Sequence, residues 1–227
     1  MDFIKGEILL INKPLHWSSF DVVKKIRKSI EIKYKQKRIK VGHAGTLDPL
    51  ATGLIILCTG NLTKDILKFQ AYPKEYVATI KFGATTPSFD LETEIDKKYE
   101  FNHIDENLIN DATKNFTGEI YQNPPSYSAK FVNGVRAYEY ARKGEKISLK
   151  PNKIFIDTIN ILNFDSPVLK IKVICSKGTY IRSLARDIGF KLNSGAHLTG
   201  LVRTAIGHYK LDDALSIEAF ERQLKLV

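Results

Sequence analysis

The segment VGHAGTLDPLATG, residues 41–53, constrains this chain more than any other. Its three glycines and one proline demand tight turns, and an apolar run at residues 54–58 follows at once, bounded by Gly53 and Gly60. A run of that length between glycines reads as a strand buried on both faces. A constrained loop therefore leads straight into the core. A glycine-rich loop raises the question of phosphate binding, but no Gly-Lys-Ser/Thr closes a Walker motif and no GxGxxG occurs. The loop offers chemistry through one carboxylate, Asp48, and one imidazole, His43. On the residues alone, Asp48 before Pro49 is best explained as a turn former, and a single histidine as structural.

The other segments supply a mixed set of elements. Residues 6–13 (GEILLINK) read as a strand, followed by Pro14 and two candidate helix caps, Ser18 and Ser19. The helix after them, about a dozen residues long, buries Val23, Ile26 and Ile30, and its lysines and Arg27 take the outer face. Alternation puts Tyr76, Ala78, Ile80 and Phe82 on one strand face, and Leu169, Ile171, Val173 and Cys175 on another. A further strand is expected at residues 154–161. A helix after Asp105 would turn Leu108, Ile109, Ala112 and Phe116 inward. In KGTYIRSLARDIG, Ile181, Leu184, Ala185 and Ile188 have helical spacing, Thr179 is a candidate cap, Gly189 a candidate C-cap, and Arg182 and Arg186 share the opposite face. A short amphipathic helix follows Ser216. Strands and helices intersperse without strict alternation, which predicts an α+β (mixed α/β) domain around a mixed, largely antiparallel sheet flanked by helices and loops. No repeat or linker divides the chain, so residues 1–227 are expected to form one domain.

Charge is distributed unevenly. Of a net charge of +10, residues 24–40 carry nine Lys or Arg against one acid, Glu31. Such a stripe fits a polyanion or, as well on charge alone, a solvated helix face. Residues 90–111 run the other way, with eight acids against Lys97 and Lys98, and are expected to face away from nucleic acid. Tyrosines interleaved with Lys130, Arg136, Arg142 and Lys143 in residues 121–145 suit stacking on RNA bases, as do Tyr180 and Arg182. Ordinary amphipathic packing explains most of these residues one at a time. The five histidines and two cysteines show no metal-ligand spacing, and no GxSxG elbow occurs. Neither a signal peptide nor a membrane-length apolar stretch is present, and the cysteines imply a reduced, cytoplasmic setting.

GHAGTLDPLATGLIILCTGNLTK resembles the signature of the TruB family of tRNA pseudouridine-55 synthases. Further blocks resemble that family in the same order: ILLINKPLHWSS, PKEYVATIKFG, QNPPSYSAKFVNGVRAYEYARKGE, CSKGTYIRSLARDIG and LTGLVRTAIG. The resemblance implies the pseudouridine synthase catalytic fold and an isomerase that needs no cofactor or metal. It implies Asp48 as the catalytic aspartate, Tyr76 as the aromatic beside the flipped base, implicated in proton removal, and Arg182 as the arginine paired with Asp48. It further implies that His43 holds the target nucleotide, Tyr180 neighbours it, Leu201 closes the base pocket, Asp90 keeps its family role, and Lys13 with Pro14 supports the catalytic loop. The implied substrate is the T-arm of tRNA, with no membrane and no obligatory protein partner, and the protein is expected to be a monomer. Because the basic stripe of residues 24–40 directly precedes the catalytic loop, Lys35, Lys37 and Arg38 are expected to grip the T-arm phosphates. Many relatives continue into a PUA domain, so a catalytic domain alone is expected.

Three positions depart from the family pattern. The acidic Thr-Asp-Thr-x-Asp-x-x-Gly run reads TTPSFDLET, with Pro87 for the first Asp and Thr93 for the Gly. Phe131 stands where a lysine is usual, one place after Lys130. The sequence leaves open whether Asp48 attacks uracil C6 or ribose C1′. Rival readings are a synthase for another RNA, a tRNA-folding chaperone with incidental catalysis, and a basic binding module without chemistry.

Overall fold

The structure, a computed structural model, describes residues 2–145 and 147–226. The chain forms two compact units, residues 1–76 with 201–227 and residues 77–200. In chain order the first unit contributes β1 (Ile8–Lys13), α1 (Ser19–Tyr34), β2 (Val41–His43), β3 (Ala51–Thr59), α2 (Ile66–Ala71) and the start of β4 (Lys74–Phe82). The second contains the rest of β4, β5 (Ala84–Thr85), β6 (Lys97–Lys98), α3 (Glu106–Lys114), β7 (Gly118–Gln122), β8 (Phe131–Val132), β9 (Val135–Arg136), α4 (Ala137–Arg142), β10 (Asn152–Asp165), β11 (Val168–Cys175), α5 (Ile181–Lys191) and the start of β12 (Ala196–Ile206). The chain then re-enters the first unit through the end of β12, β13 (Tyr209–Lys210) and α6 (Ile217–Gln223).

In the first unit β3 is the organising strand. β1 lies antiparallel along one edge, from Ile8 opposite Cys58 to Lys13 opposite Gly53. On the other edge β12 pairs parallel at residues 201–203, and β2 pairs antiparallel at residues 41–43. One face of β3 packs Ile55 and Leu57 against Val22, Val23, Ile26 and Ile30 of α1 and Phe220 of α6. The other packs Leu54, Ile56 and Cys58 against Phe69 and Ile206. Both faces are buried, which is why the run shows no alternation. α1 extends to 16 residues, longer than expected, and Ser18 alone is its cap, exchanging hydrogen bonds with Asp21 in a capping box. Ser19 has other work, described below.

In the second unit β10 pairs antiparallel with both β11 and β7, and the strand order reads β12-β4-β11-β10-β7. The alternating residues Ala78, Ile80 and Phe82 of β4 are buried, as are Leu169, Ile171, Val173 and Cys175 of β11. Parallel and antiparallel pairings together make the mixed sheet that was expected. α3 buries Ile109 and Ala112 but exposes Leu108, and it ends before Phe116, so its apolar stripe is narrower than the sequence indicated. Gly189 lies inside α5 and is not a C-cap; a Cβ there would come within 2.6 Å of Ala196, so glycine lets the helix approach the start of β12. Thr179 donates to the Ser176 carbonyl and does not cap α5. Among the described residues no helix is long and apolar enough to cross a membrane.

Candidate active site

The glycine-rich segment leaves β2 after His43 and rejoins β3 at Ala51, so both of its ends are fixed to one strand. The Ala44 amide donates to the Ile56 carbonyl, and the Ala51 amide to the carbonyl of Asp48 itself. Asp48 thus sits at a hydrogen-bonded turn, half-buried, between Leu47 and the exposed Pro49. Three side chains hold this loop from different sides.

Ser19, at the start of α1, accepts from the Leu47 amide at 2.8 Å and donates to the Leu47 carbonyl at 3.0 Å. Lys13, fully buried at the end of β1, donates to the carbonyls of Pro14 (2.9 Å), Trp17 (2.6 Å) and, more weakly, Pro49 (3.4 Å). Its ammonium therefore ties the segment after β1 to the residue following Asp48. Burial lowers the Lys13 pKa from 10.5 to about 8; the Asp48 carboxylate opposes this and the Arg203 charge adds to it.

The third clamp is Arg203 on β12, 1% exposed. Its Nε donates to the Leu54 carbonyl at 2.7 Å, its Nη2 to Gly45 at 3.1 Å and its Nη1 to Thr46 at 3.4 Å. One planar guanidinium thereby holds both the departing loop and the returning strand. Gly53 lets the Arg203 backbone lie this close to β3: its φ is +104°, and a Cβ would fall 2.4 Å from the Arg203 carbonyl oxygen. Neither Ser19 nor Arg203 was assigned a part in the site from the sequence. Ser19 looks like a second capping residue, and Arg203 like one more cation in a closing segment. The glycine opposite Arg203 is the signal that marks a close approach.

The remaining residues expected in this unit lie on several of its elements. His43 ends β2, half-buried; burial lowers its pKa below the usual imidazole value and the Arg203 charge lowers it further, while the Gly45 backbone opposes both. The ring is neutral at pH 7. Leu201, 9% exposed, pairs with Ala51 at the point where the loop returns to β3. Tyr76 is buried on β4. Lys35, Lys37 and Arg38 lie on the exposed turn after α1.

In the second unit Arg182 lies against Asp90, and Tyr180 precedes α5. Arg182 is 4% exposed, so it does not lie on an open helix face. Its Nε lies 3.6 Å from Asp90 Oδ2, and its Nη1 donates to the Ser88 carbonyl at 3.1 Å. Arg186, one turn later, places its guanidinium 4.5 Å from the Phe89 ring and pairs with Asp187 at 2.6 Å. The departures at Pro87 and Thr93 are accommodated in this turn. The Ser88 amide donates to the Thr93 hydroxyl at 3.0 Å, the Thr86 hydroxyl donates to the Asp90 carbonyl at 2.7 Å, and Phe89 takes a left-handed φ of +63°. Gln122, to which the sequence assigned nothing, brackets Tyr180: it accepts from the Tyr180 amide at 2.8 Å and donates to the Tyr180 carbonyl at 3.0 Å. Lys130 turns inward to Lys150 and Asn152, leaving Phe131 exposed beneath the Arg136 guanidinium at 3.6 Å. Asp48 belongs to the first unit and Arg182 to the second.

Comparison with known proteins places the chain in a family. Residues 28–181 match the TruB family pseudouridylate synthase N-terminal domain, and residues 182–226 match the tRNA pseudouridylate synthase B C-terminal domain. A tRNA pseudouridine synthase B of Phocaeicola vulgatus is 57% identical over 224 residues, covering 99% of this chain and 95% of the relative. The same-named protein of Flavobacterium johnsoniae is 50% identical, covering 99% and 98%. Among solved structures, a crystal structure of a Cbf5-Nop10-Gar1 complex aligns with a TM-score of 0.70 and 25% identity over 95% of this chain; this chain spans about half (53%) of the length of that one. The chain belongs to the TruB family of pseudouridylate synthases.

Proposed function

We propose that the protein isomerises the T-loop uridine of tRNA, position 55, to pseudouridine, with Asp48 as nucleophile. The observation that carries this reading is the immobilised Asp48 turn, held by Ser19, Lys13 and Arg203 from three elements. A carboxylate that must meet one carbon of a flipped nucleotide gains most from such rigidity.

The reaction breaks the N1–C1′ bond, rotates the detached uracil and joins C5 to C1′. The C5 proton leaves, N1 gains one, and no redox change or energy input is needed. Asp48 forms a covalent adduct and is released when the new bond is complete. To reach it, the target base leaves its stack. Tyr76 packs against the flipped base and takes part in removal of the C5 proton. Leu201 closes the pocket, which keeps water from the cleaved uracil. His43, neutral at pH 7, holds the nucleotide without adding charge beside Asp48, and Tyr180 borders the same space. Arg182 pairs with Asp48, while Asp90 fixes the orientation of Arg182. The protein acts in the cytoplasm as a monomer, without an obligatory protein partner.

Carbodiimide mapping of an unmodified tRNA transcript tests this. Wild-type protein is expected to produce one T-loop stop, and Asp48→Asn none. Modification by both would remove Asp48 from the mechanism. No modification by folded wild-type protein would overturn the substrate assignment.

A further inference from the structure

The basic stripe is more than an outer helix face, because the chain folds it into a recess. α1 carries Arg27, Lys28, Glu31 and Ile32 in its last turns. The chain then reverses through two non-glycine residues in left-handed conformation, Lys35 (φ 51°) and Arg38 (φ 65°). The reversal folds the turn back along the helix. Arg27, Lys28, Lys35, Lys37, Arg38 and Lys40 surround an open recess of about 800 Å³, with Ile32 and Ile39 as its apolar wall.

Three contacts hold it in shape. Ile39 is buried in the core beneath α1. Arg27 Nη2 donates to the Val41 carbonyl at 3.0 Å, bridging the helix to the start of β2. Glu31, the recess's single acid, accepts from the Arg38 amide at 2.8 Å, so its carboxylate is occupied in shaping the turn. Six cations face one committed anion, and Arg27 Nε is buried there without a hydrogen-bond partner. Left-handed backbone at ordinary residues costs energy. Here it gathers like charges, an arrangement that a bound polyanion relieves.

We infer that this recess binds the ribose-phosphate backbone of the RNA substrate, outside the target nucleotide. This rests on the reading that the protein acts on tRNA. No aromatic ring lines the recess, so it has nothing on which to stack a base, and its mobile lysines supply point charges. Such a surface sets affinity and register and does not read sequence. A free nucleotide would call for a ring platform that is missing, and six cations spread around about 800 Å³ suit a run of phosphates better than one small anion.

The test is a salt titration of binding to an unmodified tRNA transcript, with Lys35→Gln/Lys37→Gln/Arg38→Gln beside wild type. Each phosphate contact contributes about 0.9 to the slope of log K against log salt, so a loss of roughly 2 to 3 in slope is expected. Affinity at low salt should fall at least tenfold. Lys97→Gln/Lys98→Gln, on β6 in the acidic stretch, controls for overall charge and should leave the slope unchanged. If the triple variant melts early, Lys37→Gln alone should lower the slope by about 1. An unchanged slope, or an equal loss in the β6 control, overturns the inference. So does an unchanged RNA slope with inorganic phosphate binding that the triple variant abolishes. The substrate assignment is read separately, from pseudouridine formed by wild type. Its failure beside a lowered slope would leave the recess as an RNA site on an enzyme with another target.

Discussion

Ser19 and Leu47 are joined twice: the serine hydroxyl accepts from the leucine amide and donates to the leucine carbonyl, both within 3.0 Å. Residues 28 positions apart thereby fix the peptide groups immediately before Asp48. In Ser19→Ala two buried backbone groups lose that partner, at a cost of about 1–3 kcal/mol. The melting temperature should fall by several degrees, at roughly 2–4 °C per kcal/mol for a chain of this size. Turnover should fall further than stability predicts, by about tenfold or more under single-turnover conditions at a temperature where the variant is folded, because a small displacement of a reacting group is expensive. Equal rates with a lowered melting temperature would confine the clamp to a structural role.

Lys13 makes stability depend on pH in an unusual direction. Its folded pKa of about 8 lies below the 10.5 of the free side chain. Between those values the unfolded chain holds the proton and the folded protein has released it, so stability from this group rises with pH. Below about pH 8 both states are charged and burial of the ammonium is a standing cost. The difference in unfolding free energy between wild type and Lys13→Met should therefore grow as pH rises from 8 to 10.5, by about 3 kcal/mol at 1.36 kcal/mol per unit. Urea titrations at half-unit steps measure it. A flat difference would mean that the ammonium stays protonated in the fold.

Arg182→Lys retains charge and removes the planar fork that addresses Asp90 and the Ser88 carbonyl together. If Arg182 also supports Asp48, the single-turnover rate should fall by about a hundredfold, the range seen on removing one preorganised donor. Binding of the transcript should change little, since the residue is buried. A weakened affinity with a normal rate would place Arg182 in RNA recognition instead.

How much of this was legible beforehand follows from which interactions leave a periodic trace. β3 was visible because burial on both faces removes polar residues from the run, and α1 because its stripe repeats at helical spacing. Alternation on β4 and β11 likewise matched their buried faces. Leu108 was misplaced because a two-turn helix contacts too little core to bury every apolar residue on one side. Gly189 was misread because a helix-ending glycine and a close-packing glycine look alike until the neighbour, Ala196, is known. The contributions of Ser19, Gln122 and Arg203 were invisible for one shared reason. Each acts on backbone atoms of a residue distant in sequence, and backbone atoms carry no identity in a string of letters.

Phe89 offers a way to measure strain beside the proposed arginine support. Its φ of +63° places an ordinary residue in the left-handed region. The turn is pinned there because the Phe89 amide donates to Thr86 and its carbonyl accepts from Leu198. Phe89→Ala loses the ring under Arg186 and keeps the strain; Phe89→Gly loses the same ring and relieves it. Relief of about 1–2 kcal/mol exceeds the roughly 0.5–1 kcal/mol that glycine's unfolded-state entropy costs. The glycine variant should thus be the more stable of the two by about 0.5–1 kcal/mol in urea denaturation. At Phe190, on the exposed side of α5, the order should reverse, with glycine about 1 kcal/mol worse than alanine. Finding alanine the better residue at both positions would show that the backbone at residue 89 relaxes out of the left-handed region, and that Asp90 is not held by a strained turn.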